Sequence, residues 1–503
     1  MKDLKIREKT SQGEDYQNKL NNLRSQIDAA DQNLLTTLGK RMEVAKGIGK
    51  LKSENNVAIL QNKRWNEILG KMILDGEDHG LSEEFILRIF KAIHQESINN
   101  QKKILNKSYK MLSDKINSLP ISQTVAMTAK AHDLKNQGID VITLSAGEPD
   151  FDIPDYIKDA AVDAINKNYH KYSPVDGYLD LKKAICKKFK RDNNLDYDTD
   201  QIVVSTGAKQ SIANVCMSLI NKGDEVVIPT PYWVSYSAMV SLADGIPVFV
   251  HPNKNSNYKV TAKQLESAIT DKTKMVMLNS PNNPSGSVFT KEEYLELSKV
   301  LIKYPKVIVV SDEIYEHINY GVESVSFASL PGMYERTVTV NGISKAFAMT
   351  GWRIGYIGAP KILAKACNKM QGQITSGANC IAQRAAITAL EESPERIKYM
   401  VDEFKIRRNL IIDLVNQING FKVSQPPSGA FYIFPEVSEL FGKTFGGQLI
   451  NNANDLSMLI LEKAHVATVP GDAFGYPECI RISYSASREQ IKEAIIRIKD
   501  LLS

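Results

Sequence analysis

Five cysteines in 503 residues, with no CxxC pair among them, give neither a disulfide framework nor zinc-ligand spacing. They fit a reducing compartment. No apolar run approaches the ~20 residues of a membrane span. The opening Met1–Asp15 is polar and charged and lacks the apolar stretch of a secretory leader. These absences predict a cytoplasmic protein with no membrane partner. Strong charge is also missing. The formal net charge is +5, and residues 1–108 hold 19 Lys/Arg against 15 Asp/Glu. That excess is too weak for a nucleic-acid arm but suits a small anionic substrate. What is present is ordinary for a globular chain: 43% hydrophobic and 24% charged residues. The length calls for two or three domains.

From Asp15 to Leu105 the sequence reads helix, helix, helix. The first is expected over about Tyr16–Glu54. With Leu20 at zero and ~100° per residue, Leu23, Ile27, Ala30, Leu34, Leu38, Ala45 and Ile48 fall in one sector about 80° wide. Arg41 and Lys52 fall in the same sector, with no carboxylate inside it. Two cations on a core-facing stripe need partners, because an unpaired buried charge is costly. They could reach water along their stems, pair with another helix, or line a pocket for a dianion. The second helix is expected over about Asn62–Asp75 and carries Arg64. Ser82 caps a third, with Glu83 and Glu84 in its first turn. Phe85, Ile86, Ile89, Ile93 and Ile104 form its apolar face, and Ser97 and Gln101 border it one turn apart.

This long–short–long helical arrangement, over about Lys19–Ile104, resembles the all-α chorismate mutases. The resemblance implies two interlocked protomers whose pockets draw groups from both chains. Arg24 would reach the partner's pocket. Arg41, Lys52 and Arg64 would bind the substrate carboxylates and ether oxygen. Ser97 and Gln101 would complete the site. The rearrangement of chorismate to prephenate needs only a compact substrate and positive charge where the C–O bond breaks. Two positions depart from the family pattern. Gln61 stands where Asp is common, and Trp65 where a Glu holds the substrate hydroxyl; Trp cannot accept that hydrogen bond. A non-catalytic helical module for dimerisation or sensing is the alternative these departures leave open.

After a polar stretch ending at Pro120, strands alternate with helices, the pattern of an α/β layer fold. Val141–Leu144, Gln201–Ser205, Glu225–Ile228, Met275–Leu278 and Val307–Val310 read as strands. Each ends in polar or aromatic residues, where parallel sheets gather ligands. Thr337–Val340 and Ile354–Gly358 read as two more strands, flanking Asn341-Gly-Ile-Ser-Lys-Ala-Phe-Ala-Met-Thr-Gly-Trp-Arg353. Lys345 lies there among apolar side chains. Desolvation favours its neutral amine, the form that attacks a carbonyl to give a Schiff base. Arg353 suits a phosphate. Together they point to pyridoxal 5′-phosphate (PLP). Gly207-Ala208-Lys209 opens a helix whose N–H groups can hold that phosphate. Asp312 at a strand end can keep the pyridine nitrogen protonated. Asn283 and Tyr315 can donate to the ring oxygen, and Trp233 can stack on the ring.

In this order these motifs resemble class I aminotransferases of PLP fold-type I, from about Pro120 to the C-terminus. The resemblance implies a large α/β domain and a small α+β domain. Lys345 would be the Schiff-base lysine and general acid/base. Tyr172, in Lys171-Tyr-Ser-Pro-Val-Asp-Gly177, would reach the neighbour's phosphate, implying a homodimer. Arg481 would grip the substrate α-carboxylate beside Gly147. Within the family, Tyr232-Trp-Val-Ser-Tyr236 and the Lys345 segment resemble the aspartate/prephenate aminotransferase branch. There Thr124 and Lys209 match the positions associated with prephenate.

The expected organisation is a mutase domain over 16–106, a linker over 107–119 and an aminotransferase over 120–503. Its large domain would span about 151–400, its small domain about 120–150 with 401–503. The expected substrates are chorismate, prephenate, glutamate or aspartate, and 2-oxoglutarate. No metal and no nucleic acid is expected. The rivals are an aspartate or aromatic aminotransferase with a non-catalytic helical module, and a PLP lyase on the same fold.

Overall fold

The computed structural model describes the backbone of residues 2–54, 62–108, 112–119, 123–253 and 256–503. The side chains of residues 1–15, 53–67, 102–111, 118, 120–123 and 254–255 lie outside the described residues. The chain divides into two compact units, Met1–Ser118 and Leu119–Ser503. No described helix is long and apolar enough to cross a membrane.

The first unit is helical: α1 (Lys2–Glu54), α2 (Asn62–Glu77), α3 (Glu83–Ser108) and the short α4 (Asp114–Ser118). The helix expected from Tyr16 begins at Lys2. The Ser82 cap forms, with Ser82 Oγ accepting from the Phe85 N–H at 3.3 Å. α1 and α3 approach closely at Gly49, where a Cβ would stand 3.0 Å from Gln101 Cα. The apolar stripe of α1 needs a correction. Ala45 is buried, but Leu23, Ile27 and Leu34 are 58%, 60% and 55% exposed. Ile48, further along the same stripe, is also exposed.

The second unit opens with α5 (Gln123–Asn136), β1 (Ile142–Thr143), α6 (Asp155–Asn166) and α7 (Leu179–Asn193). The main sheet follows: β2 (Ile202–Thr206), β3 (Glu225–Pro229), β4 (Ile246–Val250), β5 (Thr273–Asn279), β6 (Ile308–Asp312), β7 (Thr337–Gly342) and β8 (Ile354–Gly358), with α8 (Ala208–Leu219) after β2. The strand order is β2-β8-β7-β6-β5-β3-β4. β4 was not anticipated: Pro247 lies inside it, a residue that sheets accept only at an edge such as this one. Val203, Ile228, Met275 and Val340 pack against Ile212 and Val215 of α8 on one face. Val227, Val276 and Val309 pack with Leu297 and Leu301 on the other. Burial on both faces explains the near-continuous apolar strands.

The sheet is not wholly parallel. β8 runs antiparallel to both β2 and β7. Its amino end therefore lies at the edge where the other six strands end. This reversal brings Arg353, the residue before β8, to the carboxyl-end edge. A second, three-stranded antiparallel sheet joins β9 (Tyr432–Ile433) to Ile480–Ser483 and Val469–Pro470. The strand expected at Val141–Leu144 shortens to β1, which pairs with the two residues Val466–Ala467. Ile142 and Leu144 pack in one core with Phe404, Phe431, Ile482 and Ile495.

Candidate active sites

In the helical unit, Arg41 Nη1 donates to Ser97 Oγ at 2.5 Å, and Ser97 donates to the Ile93 carbonyl at 2.8 Å. Burial lowers the Arg41 pKa from its ordinary value. Ser97 and Gln101 are buried, and among the described residues Gln101 Oε1 has no hydrogen-bond partner. An oxygen-rich anion needs donors, which the Arg41 guanidinium and the Gln101 amide NH2 can supply. Lys52 acts electrostatically on His94, whose pKa is lowered by burial, then by Arg41, then by Lys52. These residues come together. His94, one turn before Ser97, was missed; its i, i+3, i+7 spacing with Ser97 and Gln101 was the available signal. Arg24 is exposed and lies 17 residues from Arg41 on α1, roughly 25 Å along the axis. It does not share the Arg41 pocket of its own chain. Arg64 lies on α2, but its side chain, like those of Gln61 and Trp65, is outside the described residues.

In the second unit, a cavity of about 240 Å³ opens at the carboxyl-end edge of the main sheet. Thr124, Gly147, Ala208, Lys209, Trp233, Asn283, Asp312, Tyr315, Lys345, Arg353 and Arg481 all line it. Every cofactor or substrate residue expected there is present except Tyr172. That tyrosine is 100% exposed, on the Lys171–Ser173 segment of a separate groove, and takes no part in its own chain's cavity.

Lys345 Nζ donates to the Gly147 carbonyl at 2.5 Å. Burial, with Arg481 and Arg353 nearby, lowers its pKa to about 8, against the opposing pull of Glu148 and Asp312. Asp312 closes β6. Burial pushes its pKa up to about 6, while Tyr236, donating to Oδ2 at 2.6 Å, and the Ile314 N–H hold it down. Asn279 fixes the neighbouring loop: its Nδ2 donates to the Asp312 carbonyl at 2.9 Å, and its Oδ1 accepts from the Asn283 N–H at 2.8 Å. Lys209 Nζ sits 5.0 Å from the Trp233 ring centroid, and burial followed by Arg353 lowers its pKa.

Arg481 is buried. Its Nη1 donates to Asn283 Oδ1 at 2.9 Å and its Nη2 to the Ser145 carbonyl at 2.6 Å. Among the described residues its Nε has no partner. Sequence reasoning missed Tyr236, Asn279 and Tyr432 as parts of this site. Tyr236 lies inside a motif already singled out and Asn279 directly follows the strand read at Met275–Leu278, but their side-chain direction could not be read from spacing.

Asp192, Glu316 and His317 place ligand-type atoms within 4.8 Å of one another. The Lys188 ammonium bonds Glu316 in the same cluster, so its negative charge is already paired.

The family described as aminotransferase class I and II matches residues 139–498, and chorismate mutase type II matches residues 23–102. A "bifunctional aspartate aminotransferase and glutamate/aspartate-prephenate aminotransferase" of Petunia hybrida is 47% identical over 396 residues, 78% of this chain and 82% of the relative. A "probable aspartate/prephenate aminotransferase" of Rhizobium leguminosarum bv. phaseoli is 48% identical over 393 residues, 77% of this chain and 98% of the relative. Among solved structures, an aspartate aminotransferase of Rhizobium meliloti is 44% identical with a TM-score of 0.75, covering 78% of this chain and 99% of that one. One from Thermus thermophilus with maleate is 37% identical with a TM-score of 0.73, over the same shares.

Proposed function

The chain belongs to the class I and II aminotransferases and carries a chorismate mutase type II domain; from that premise we propose that it converts chorismate to prephenate and aminates prephenate to arogenate, using PLP with glutamate or aspartate as donor. Exchange between aspartate and 2-oxoglutarate is a second use of the same site. The observation that carries the reading is one cavity holding a lysine, a carboxylate at a strand end, a carboxylate-binding arginine and a further cation at Lys209.

The cavity residues fit PLP. Gly207 has φ +81°, and a Cβ there would stand 2.8 Å from Arg353 Cζ, so the glycine keeps open a cradle between a helix N-terminus and a guanidinium. Asp312 can pair with a protonated ring nitrogen. Bound there, PLP supplies the electron sink and the carbonyl that carries the amino group. The chain's own residues do the rest. Lys345 Nζ takes and returns the substrate α-proton. Asp312, held by Tyr236, would anchor the ring, Trp233 would cover its face, and Asn283 and Tyr315 would address its oxygen. Arg481 binds the α-carboxylate, with Gly147 leaving room beside it. Lys209 and Thr124 address the distal carboxylate of prephenate. In the helical unit, Arg41, Lys52, Arg64, Ser97 and Gln101 would clamp chorismate and stabilise charge on the breaking C–O bond.

A homodimer follows from the same reading. The exposed Leu23, Ile27 and Leu34, which offer an apolar face, and the full exposure of Tyr172, which leaves it free for a partner's site, support it. The five free cysteines fit a cytoplasmic location.

The test is one vessel with protein, PLP, chorismate and an amino donor, its products separated at neutral pH. Arogenate, lost selectively in Lys209→Ala, is the expected result. Prephenate accumulating without arogenate from any donor, while aspartate and 2-oxoglutarate exchange freely, would overturn it. Chorismate left untouched while added prephenate is aminated would make the helical domain a non-catalytic module.

A further inference from the structure

Tyr432 is fully buried on β9 and lines the cavity, yet no role has been given to it. Three contacts fix it. Its hydroxyl lies 2.9 Å from the Tyr315 hydroxyl. The Arg481 guanidinium stacks over its ring at 4.6 Å. A Cβ on Gly147 would come within 2.9 Å of its hydroxyl oxygen, so glycine is what fits there. The Tyr315 and Tyr432 rings meet edge-on at 5.9 Å.

Each phenol has one proton, and only one proton can lie between two oxygens in contact. In the function proposed above, on which this inference rests, Tyr315 spends its proton on the ring oxygen of the cofactor. Tyr432 must then turn its own proton onto Tyr315. We propose that Tyr432 is a positioning residue: it donates to Tyr315, so that a directed chain of two hydroxyls ends on the cofactor's ring oxygen, and its ring sets the plane of Arg481. One buried side chain thus links the group that tunes the cofactor to the group that binds the substrate carboxylate.

The surroundings support donors rather than phenolates. Burial raises both phenols above their ordinary pKa. The charged groups facing the pair are Arg481, Asp312 and Lys345, its Nζ 5.8 Å from the ring centroid, at Tyr315, and Arg481 and Glu148 at Tyr432. Neither phenol ionises in the working range, so each keeps a proton to give. A hydrogen bond received by Tyr315 polarises the one it makes, by about 10–30%.

The readout is the pH midpoint at which the visible band of the lysine-bound cofactor titrates, in full-length holoenzyme without substrate. A less stabilised ring oxygen holds more negative charge and favours the protonated linkage, so the midpoint rises. Tyr432→Phe keeps the ring and should raise it by about 0.1–0.6 pH unit. Tyr315→Phe should raise it more. The double variant should match Tyr315→Phe alone, because Tyr432 acts only through Tyr315. Tyr432→Leu should also raise KM for the 2-oxo acid, whereas Tyr432→Phe should not. An unmoved midpoint in Tyr432→Phe, or additive shifts in the double variant, would overturn the inference. A wild-type protein with no titrating visible band would instead overturn the cofactor assignment beneath it.

Discussion

Gly207 and Arg353 touch across the site: the arginine guanidinium fills the space a Cβ at Gly207 would need. Gly207 also holds φ +81° and ψ 158°, a region used almost only by glycine. Gly355 packs as closely, since a Cβ there would stand 2.7 Å from Ala208 Cα. Gly207→Ala should therefore cost twice, by backbone strain of ~1–3 kcal/mol and by displacing Arg353. PLP affinity should fall by more than ~10-fold, as measured by titration of the visible band. Unchanged affinity would mean the phosphate lies elsewhere.

Lys345 gives a pH prediction with a definite sign. Its pKa is lowered to about 8 by burial, Arg481 and Arg353. The neutral amine therefore accumulates as pH rises towards 8. Reconstitution of the cofactor-free enzyme with PLP should quicken about tenfold per pH unit below that point and level off above it. Removing a neighbouring cation with Arg481→Gln should move the plateau to higher pH. Stopped-flow absorbance would show both. A rate indifferent to pH between 6 and 9 would count against Lys345 as the attacking amine.

The strand ends were legible because parallel strands buried on both faces must be short and apolar, and each then ends in a motif. That groups Asp312, Asn283, Trp233 and Lys345 from the sequence. The reversal of β8 was not legible, since Ile354–Gly358 reads the same in either direction. Tyr236 was inside a recognised motif, but its bond to Asp312 joins residues 76 apart in sequence, and periodicity carries no such information. In the helical unit, the helix-wheel reading put Arg41 on the inward stripe without naming its partner, which is Ser97 of α3. It also put Leu23 and Ile27 on that stripe, and both are exposed.

Behind the cavity, buried Lys188 pairs with Glu316 and donates to Asn193 Oδ1 at 2.7 Å, while Asn193 Nδ2 donates to Glu316 at 2.7 Å. This network ties α7 to the turn that follows Asp312. Lys188→Met leaves Glu316 buried without its lysine counter-charge, beside only Asn193 and His317, and should destabilise the second unit by about 3–5 kcal/mol. Adding Glu316→Leu should recover much of the loss, as chemical denaturation would report. The Glu316 pKa is lowered to about 2 by Lys188 and His317, against burial. Its contribution is present above the unfolded value near 4.5 and lost as pH falls towards 2. The gap between wild type and the double variant should narrow over that acidic window.

The last prediction turns on Arg24 and Arg41. They lie roughly 25 Å apart along α1, so one pocket can use both only by taking them from different chains. Arg41→Ala removes a cation bonded to Ser97, and Arg24→Ala removes an exposed one. If both serve the mutase, each variant should lose more than ~100-fold in chorismate consumption, the scale of a lost charge partner in the transition state. Aminotransfer should persist in both. Now let the two full-length variants exchange subunits. Random pairing makes half the dimers mixed. In a mixed dimer one pocket carries both defects and the other carries none. About a quarter of wild-type mutase activity should return, by the two-fold symmetry of shared pockets. Pockets built from single chains would give no recovery at all, because every pocket would keep one lesion. Recovery near a quarter would establish shared pockets through chemistry alone, without a structure of the dimer. Mixing that restores nothing, from subunits shown to have exchanged, would confine each mutase pocket to its own chain and remove Arg24 from it.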